Sequence, residues 1–271
     1  MKDFETYNEK LNTIFDKNDK FYQNRLVFKV GSSTVMSNDG QINQNLLDNL
    51  AWQTSELMDL GYQVAIVTSG AVACGRRIAK NLNGSIVDKQ VLASVGQLDL
   101  GTAWRNAFNK CNRISGYSLY SEKNLSDLVE DEENPLIKSL NSQVVQIINA
   151  NDAVNKFEVE QLQISADNDR LAGFVARRIQ AQRLILLTEE NGVWDKQKQI
   201  IEEMAQWSDM EKMFVQEKTK EGTGGMESKV EVAMSFALNG RTAYIARGLQ
   251  ERILLDIIAG RDIGTRVQMV A

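Results

Sequence analysis

Short apolar runs recur along the chain and predict the strands of a buried sheet. A compact apolar run that ends at a glycine or a polar turn is typical of a strand covered on both faces. The run RLVFKV, which ends at Gly31, has this form. The predicted strands cover residues 25–30, 62–68, 116–120, 144–152, 183–188 and 242–246.

Between these strands, apolar residues recur at the spacing of an amphipathic helix. From Gln41 to Leu60 leucine and isoleucine keep this spacing, and Gly61 marks the predicted C-terminal end. Further helices are predicted over residues 89–110, 167–182, 229–240 and 249–260. Alternating strands and helices favour right-handed crossovers, and therefore an α/β fold with a mainly parallel sheet covered on both faces.

The segments between these elements indicate the domain organisation. Pro135 is the only proline, and no linker rich in proline, glycine and serine divides the chain, so we predict one α/β unit over residues 25–271. Residues 1–24 are polar and mixed in charge, which excludes a signal peptide or membrane span and predicts an N-terminal arm or helix. The polar segments 121–143 and 189–222 are predicted to be loops or lids.

Composition narrows the classes of function. With 31 basic and 36 acidic residues the formal charge is −5, which disfavours a nucleic-acid-binding protein. Cys74 and Cys111 lie far apart without metal-ligand spacing, so we predict reduced thiols and a cytoplasmic protein. The chain contains no histidine, which excludes an imidazole base, nucleophile or metal ligand.

Small and polar residues follow the first two predicted strands, where a sheet of this type binds its ligands. Lys29 stands near the end of the first strand, and Gly31 and Ser32 follow with groups that can hold anionic oxygens. Ser69 and Gly70 leave the second strand in a loop that enters a helix, and their small size lets a ligand approach the backbone. Each segment also fits a simple turn, in the first case with a solvated lysine.

Two clusters of amide and carboxylate side chains follow later in the chain. Asn151 and Asp152 come after a strand, and Asp167, Asn168 and Asp169 begin a helix. Such residues commonly cap helices, but a cap uses only one or two of them. We therefore predict a polar pocket in which Asp152 binds a substrate ammonium, Asn168 binds a carboxylate and Asp169 orients a lysine. Ligation of Mg²⁺ by an aspartate is the alternative.

The glycine-rich segment EGTGGMESK opens the helix predicted near residue 229. It is not a Walker A loop, because Val230 stands where serine or threonine is required. Consecutive glycines before a helix nevertheless offer backbone amides to a phosphate, and the helix dipole adds positive potential. The alternative is a glycine hinge with Lys229 on the surface.

Lys29 and Lys229 lie at opposite ends of the chain, each close to glycine. Two fixed ammonium groups, held by acidic side chains around a phosphoryl group, are sufficient for phosphoryl transfer. That reaction depends on alignment and charge neutralisation more than on acid–base chemistry. The combination therefore favours a phosphotransferase over the separate turn and hinge interpretations.

In this order, the segments KVGSS, TSGAVACGR, INANDAV, DNDRLA, LILLTEENGVW and GTGGMESK resemble the amino acid kinase family, and within it the glutamate 5-kinases. The similarity extends from about Arg25 to Val267, and its most specific element is GTGGM with a lysine three residues later. The resemblance implies an open, mainly parallel sheet in an α/β/α sandwich. It also implies that the C-terminal PUA domain of many relatives is absent.

The resemblance implies an activity as well: ATP-dependent phosphorylation of the L-glutamate γ-carboxylate to γ-glutamyl phosphate, the first step of proline biosynthesis. Mg²⁺ would bridge the phosphates of ATP, and no protein side chain is assigned as its ligand. Relatives of this kind self-associate, so a homo-oligomer is expected. No nucleic-acid or membrane partner is expected.

By position, the resemblance assigns three groups of site residues. The catalytic residues are Lys29 and Lys229, which would stabilise the moving phosphoryl group, and Asp169, which would organise the two lysines. The substrate-binding residues are Ser69, Gly70, Asp152 and Asn168. The ATP-binding residues are Lys29, Gly31, Ser32, Thr188, Glu189, Thr223, Gly224, Gly225, Met226 and Lys229.

Three positions depart from the usual residues of the family: Ala150 replaces glutamate, Ala166 replaces glycine and Glu189 replaces aspartate. The segment 121–143 also lacks the common pattern. These departures leave open proline feedback and a sister kinase that acts on another small acid. A non-catalytic amino-acid or nucleotide sensor of the same fold is a further alternative, against which the three catalytic residues argue.

Overall fold

The computed structural model describes residues 24–37, 39–82, 84–121, 124–125, 127–131, 133–154, 168–214 and 225–269. Residues 1–23 lie outside this set, so the N-terminal arm or helix stays a prediction, as does a single unit over residues 25–271. Among the described residues, no helix is long and apolar enough to cross a membrane.

The strands form one eight-stranded sheet. In chain order they are β1 (Arg25–Val30), β2 (Gln63–Thr68), β3 (Ser115–Tyr120), β4 (Val145–Ala150), β5 (Arg183–Thr188), β6 (Glu203–Met204), β7 (Thr242–Arg247) and β8 (Thr265–Val267). Their order across the sheet is β3-β4-β2-β1-β5-β7-β8-β6.

β1 lies in the middle of the sheet and pairs in parallel with β2 and β5. All of its residues are buried, as expected for an apolar run covered on both faces. The exception to parallel pairing is at one edge, where β8 runs antiparallel to β7 and β6 runs parallel to β8. The predicted α/β fold with an open, mainly parallel sheet is therefore confirmed.

Helices cover both faces of this sheet. They are α1 (Ser32–Val35), α2 (Gln44–Asp59), α3 (Ala71–Ile78), α4 (Ile86–Lys110), α5 (Pro135–Asn141), α6 (Asn168–Arg178), α7 (Met226–Ala237) and α8 (Ile253–Ile258). Side chains of α2, α3, α4 and α8 form the core on one face, with Trp104 among the largest. Side chains of α5, α6 and α7 form the core on the other face. The result is a three-layer α/β/α arrangement.

The prediction that residues 121–143 form a loop or lid is wrong for Pro135–Asn141, which forms α5. The Asn134 side chain caps this helix by accepting a hydrogen bond from the backbone N–H of Leu136 at 2.9 Å. Proline is well tolerated in a first helical turn, because its missing N–H would be unpaired there. The apolar side chains of α5 then pack into the core, which a reading of local polarity did not reveal.

Other differences involve short elements. The segment 189–222, predicted as a loop, contains β6 and a 3₁₀ helix at Trp207–Lys212. The last predicted helix, 249–260, is confined to Ile253–Ile258. The predicted turn after β1 contains the short helix α1. These elements are too short for a periodic pattern to identify.

Two glycines allow α3 and α4 to cross with their backbones in contact. A Cβ atom added to Gly75 would lie 1.9 Å from the carbonyl oxygen of Leu92, and one added to Gly96 would lie 1.8 Å from that of Ala71. No side chain fits at either position unless the helices separate. Ala71 begins α3 directly after Ser69 and Gly70, so this crossing lies next to the β2–α3 turn.

We expect Gly96→Ala to destabilise the protein by about 2–3 kcal/mol relative to Gly101→Ala, because overpacking against backbone forces the helices apart. Gly101 is a matched control on the same helix, where an added Cβ would lie at an ordinary 3.5 Å from the Tyr117 ring. Both changes gain the same helix propensity, which cancels in the comparison. Urea unfolding measures the difference, and equal stabilities would contradict the backbone contact.

Candidate active site

The predicted site residues within the described ranges meet at the carboxyl edge of the parallel strands. Lys29 is the penultimate residue of β1, and Ser69 follows β2. Asn168 and Asp169 open α6, and Lys229 lies one turn into α7. The carboxyl edge is where open α/β sheets bind their ligands.

Lys29, Asp169 and Lys229 form a buried ion cluster. The Lys29 Nζ lies 2.7 Å from Asp169 Oδ1, and the Lys229 Nζ lies 3.0 Å from Asp169 Oδ2. The exposed fractions of the three side chains are 7%, 1% and 11% for Lys29, Asp169 and Lys229. The predicted contact between Asp169 and the lysines is therefore present, and both ammonium groups sit on one carboxylate.

The surroundings of this cluster explain how the fold places it. In β1, Phe28 and Val30 face the core on one side of the sheet, and the alternation of a strand points Lys29 to the opposite side, where α6 and α7 pack. A Cβ added to Gly31 would lie 3.7 Å from the Lys29 Nζ. The backbone of Gly31 therefore lies close to this ammonium group.

The electrostatics of Asp169 are dominated by two opposing effects. Burial raises the pKa of its carboxyl, but the charges of Lys29 and Lys229 and the hydrogen bonds they donate outweigh burial and lower the pKa from 3.8 to about 2. The carboxylate is therefore ionised across the physiological range. Its negative charge offsets the repulsion between the two ammonium groups, which lie close together in a buried environment.

This lowered pKa predicts an acid-dependent loss of stability. Because the folded-state pKa lies below the unfolded value, the contribution of Asp169 is complete above about pH 4 and is lost as the pH falls towards about 2. The expected contribution is about 2 kcal/mol. Urea unfolding of wild type and Asp169→Asn between pH 5 and pH 2.5 measures it, and the free-energy difference between them should shrink with acid. A constant difference would contradict the lowered pKa.

The predicted substrate-binding residues form a second group beside the ion cluster. The Asn168 Nδ2 donates a hydrogen bond to the Ser69 Oγ. Asn168 Oδ1 is buried and has no hydrogen-bond partner among the described residues. Gly70 has φ of 112°, so it is a position where the turn itself requires glycine. Asp152 follows β4 at the same sheet edge, and burial raises the pKa of its carboxyl.

The predicted ATP-binding residues lie around the other half of this edge. Thr188 ends β5 and Glu189 follows it. Ser32 is exposed at the start of α1, and Gly225 and Met226 open α7. Thr223 and Gly224 lie outside the described residues, so their predicted roles stay untested. Lys229, on the first turn of α7, contacts Asp169 and through it Lys29 of β1, so the α7 N-terminus lies near the end of β1.

Gln97, a buried glutamine that the sequence analysis missed, links the helix α4 to the strands β3 and β4 near this edge. The Gln97 Oε1 accepts hydrogen bonds from Tyr117 Oη at 2.5 Å and Asn149 Nδ2 at 3.2 Å, and its Nε2 donates to the Ala150 carbonyl at 3.2 Å. The available signal was a glutamine among small and apolar residues on the inner face of a helix. A polar side chain at such a position requires partners.

Comparisons with known proteins agree with this architecture. Residues 24–247 match the sequence profile of the amino acid kinase family. The glutamate 5-kinase of Lactococcus lactis subsp. lactis (strain IL1403) is 32% identical over 254 residues, which cover 89% of this chain and 93% of the relative. The glutamate 5-kinase of Enterococcus faecalis (strain ATCC 700802 / V583) is 31% identical, with the same coverage of both chains.

A longer relative shows similar identity. The glutamate 5-kinase of Thermoanaerobacter sp. (strain X514) is 34% identical over 252 residues, which cover 89% of this chain and 67% of the relative. The profile match and these relatives span the strands and helices that carry the ion cluster. This chain belongs to the amino acid kinase family.

Proposed function

We propose that this protein transfers the γ-phosphoryl group of ATP to the γ-carboxylate of L-glutamate, forming γ-glutamyl phosphate and ADP as the first step of proline biosynthesis. It is thus a phosphotransferase with a carboxyl group as acceptor. The observation that carries the proposal is the pair of buried lysines held on one carboxylate, in a chain similar to glutamate 5-kinases along 89% of its length.

The lysine pair suits the charge changes of this reaction. A bond forms between a carboxylate oxygen of glutamate and the γ-phosphorus, while the bond from that phosphorus to the β–γ bridging oxygen breaks. Negative charge on the transferred group and on the leaving ADP is stabilised by fixed cations in a water-poor site. Lys29 and Lys229 would supply these cations, and Asp169 would hold them in place before the nucleotide arrives.

The acceptor makes a general base unnecessary. A glutamate side chain has a pKa of about 4.3, so its carboxylate is already deprotonated at neutral pH and attacks without losing a proton. A kinase for hydroxyl acceptors must remove a proton, commonly with an aspartate or another base. The absence of histidine from the chain is therefore compatible with full activity on a carboxylate acceptor.

Ser69, Gly70, Asn168 and Asp152 are the proposed acceptor pocket. Asn168 Oδ1, which has no hydrogen-bond partner among the residues that the structure describes, suits a donor such as the substrate ammonium, and its Nδ2 group has two hydrogens, one of which would bind a substrate carboxylate. Asp152 would pair with the substrate ammonium, since an added cation compensates a carboxylate that burial disfavours. These assignments rest on the chemistry of the groups and, for Ser69 and Asn168, on their position next to Asp169.

ATP would bind with its phosphates at the α7 N-terminus, between Gly225 and the end of β5. In the described part of the chain, which lacks residues 155–167 and 215–224 among others, no group of three acidic or cysteine side chains could hold a metal ion, and the Asp169 oxygens already contact lysines. This donor set fits Mg²⁺ that enters on the phosphates of ATP. When bound, Mg²⁺ would neutralise part of the phosphate charge.

A cytoplasmic location is part of the proposal, and the free cysteines Cys74 and Cys111 are compatible with it. Self-association and the absence of nucleic-acid and membrane partners stay predictions. Proline feedback stays open as well.

The proposed reaction is tested by trapping its product. Purified protein with ATP, Mg²⁺, L-glutamate and hydroxylamine should form γ-glutamyl hydroxamate, because hydroxylamine attacks an acyl phosphate. L-Aspartate and other small carboxylic acids serve as competing acceptors. If another acid is phosphorylated and glutamate is not, that acid would be the substrate in place of glutamate. A folded protein that transfers phosphate to none of them would favour the sensor alternative.

A further inference from the structure

Gln97 lies on α4 and reaches the end of β4 through the hydrophobic layer. Its exposed fraction is 7% and that of Asn149 is 1%, so both side chains are largely removed from solvent. The Asn149 side chain closes the group, because its Oδ1 accepts a hydrogen bond from the Ala150 backbone N–H at 2.9 Å. The backbone of Ala150 is therefore held on its N–H by Asn149 and on its carbonyl by Gln97.

The chemistry of this position requires a glutamine. One terminal atom accepts from two donors, Tyr117 and Asn149, while the other terminal atom donates to a backbone carbonyl. A carboxylate could accept but could not donate, and an apolar side chain could do neither. Either replacement leaves the half-buried Ala150 carbonyl without its side-chain donor.

The loop that carries Asp152 begins at this point. Asn151 follows Ala150 directly, and its backbone N–H donates to the Tyr120 carbonyl at 3.1 Å. The start of the loop is thus held from α4 by Gln97 and from β3 by Tyr120. Asp152, the next residue, carries the proposed ammonium contact of the acceptor pocket.

We propose that Gln97 is a positioning residue for the acceptor site, which fixes the end of β4 so that Asp152 meets the substrate ammonium. This inference rests on the proposed function. Gln97 acts through Ala150 and touches neither substrate. Its effect is confined to the acceptor side, because β2 and β1 separate β4 from β5, where the proposed nucleotide site lies.

The decisive variant is Gln97→Glu, because the hydrogen bond to the Ala150 carbonyl then depends on whether the introduced carboxyl is protonated. At pH 8 the introduced carboxylate still accepts from Tyr117 and Asn149 but faces the Ala150 carbonyl without a proton. We expect KM for glutamate to rise about tenfold, with KM for ATP within about twofold of wild type. Burial raises the pKa of a carboxyl, so at pH 6 the protonated form regains a donor and KM should return towards wild type.

Other titratable groups near this position do not imitate that change. Burial raises the pKa of Tyr117 far above neutrality and raises that of Cys74 to about 11, so neither titrates between pH 6 and pH 8. Asp152 is present in wild type and variant alike. The KM for glutamate of the variant, divided by that of wild type at the same pH, therefore isolates the effect of the introduced carboxyl.

Gln53→Glu is the matched control. Gln53 is also a fully buried glutamine on a helix, and its Oε1 accepts from the Leu254 N–H at 2.8 Å, far from β4. It should lose stability to a similar degree without a pH-dependent change in KM for glutamate. Tyr117→Phe removes one hydrogen-bond donor to Gln97 without changing a charge, and it should raise KM for glutamate about twofold to threefold. This variant tests the positioning role if Gln97→Glu does not fold.

The outcomes separate this inference from the proposed function. Wild type that phosphorylates glutamate, together with variants whose KM for glutamate is unchanged at both pH values, would overturn the positioning role alone. A parallel loss of affinity for glutamate and ATP would do the same, because it would indicate general damage. Wild type that neither phosphorylates nor binds glutamate by calorimetry would remove the proposed function, and this inference with it.

Discussion

Asp169→Asn should abolish most of the activity and remove much of the stability of this protein. The amide has the shape of the carboxylate but no charge, so Lys29 and Lys229 would share a buried cavity uncompensated. Breaking a buried ion cluster by removing one partner costs about 3–5 kcal/mol. Misplaced cations at the transferred phosphoryl group should lower kcat by at least about 100-fold. Urea unfolding and hydroxamate formation measure the two effects.

Asp99→Asn is the control for this change. Asp99 pairs with Arg77 at 2.7 Å, but both side chains are only partly buried. Loss of such a pair costs about 0–1 kcal/mol, and the pair lies outside the candidate site. Both effects of Asp169→Asn should therefore be absent from the control. An Asp169→Asn protein with near-normal kcat would show that the cluster is a structural element rather than the centre of the reaction.

Lys229→Ala should lower kcat by about 100- to 1,000-fold while leaving glutamate binding largely intact. This variant keeps the pair between Lys29 and Asp169, so its fold should be retained. The expected split arises because Lys229 would act on the transferred phosphoryl group, whereas glutamate would bind on the β2 and β4 side. Steady-state kinetics give kcat, and calorimetry gives the affinity for glutamate.

Lys212→Ala provides the matched lysine control, because Lys212 is exposed and pairs with Asp209 at 2.6 Å outside the ion cluster. Its kcat should equal that of wild type. Equal activity of Lys229→Ala and wild type would exclude the proposed role of Lys229. A wild-type protein that binds ATP and glutamate but forms no product would instead be a sensor.

The ion cluster could be anticipated from the sequence because its parts carry local signals. Lys29 ends an apolar strand run, Asp169 begins a helix and Lys229 follows a glycine cluster. Sheets of this type gather such points at one edge, so residues 200 positions apart in the chain were expected to meet. The strand pattern was equally clear for β1 and β5, which are buried on both faces.

What the sequence did not reveal depends on contacts between distant segments. The crossing of α3 and α4 needs Gly75 and Gly96 to face backbone on the other helix, and neither glycine differs locally from an ordinary helical one. Gln97 has meaning only beside Asn149 and Tyr117, which belong to other elements. The helix α5 depends on burial supplied by the rest of the core.

The strand order has a consequence for how this protein can be altered. β1 stands between the strands that carry the proposed acceptor pocket and those that carry the proposed nucleotide site, and it carries Lys29 of the ion cluster. A library of substitutions confined to the ends of β2 and β4 should therefore yield catalysts with new acid preferences and an unchanged requirement for triphosphate.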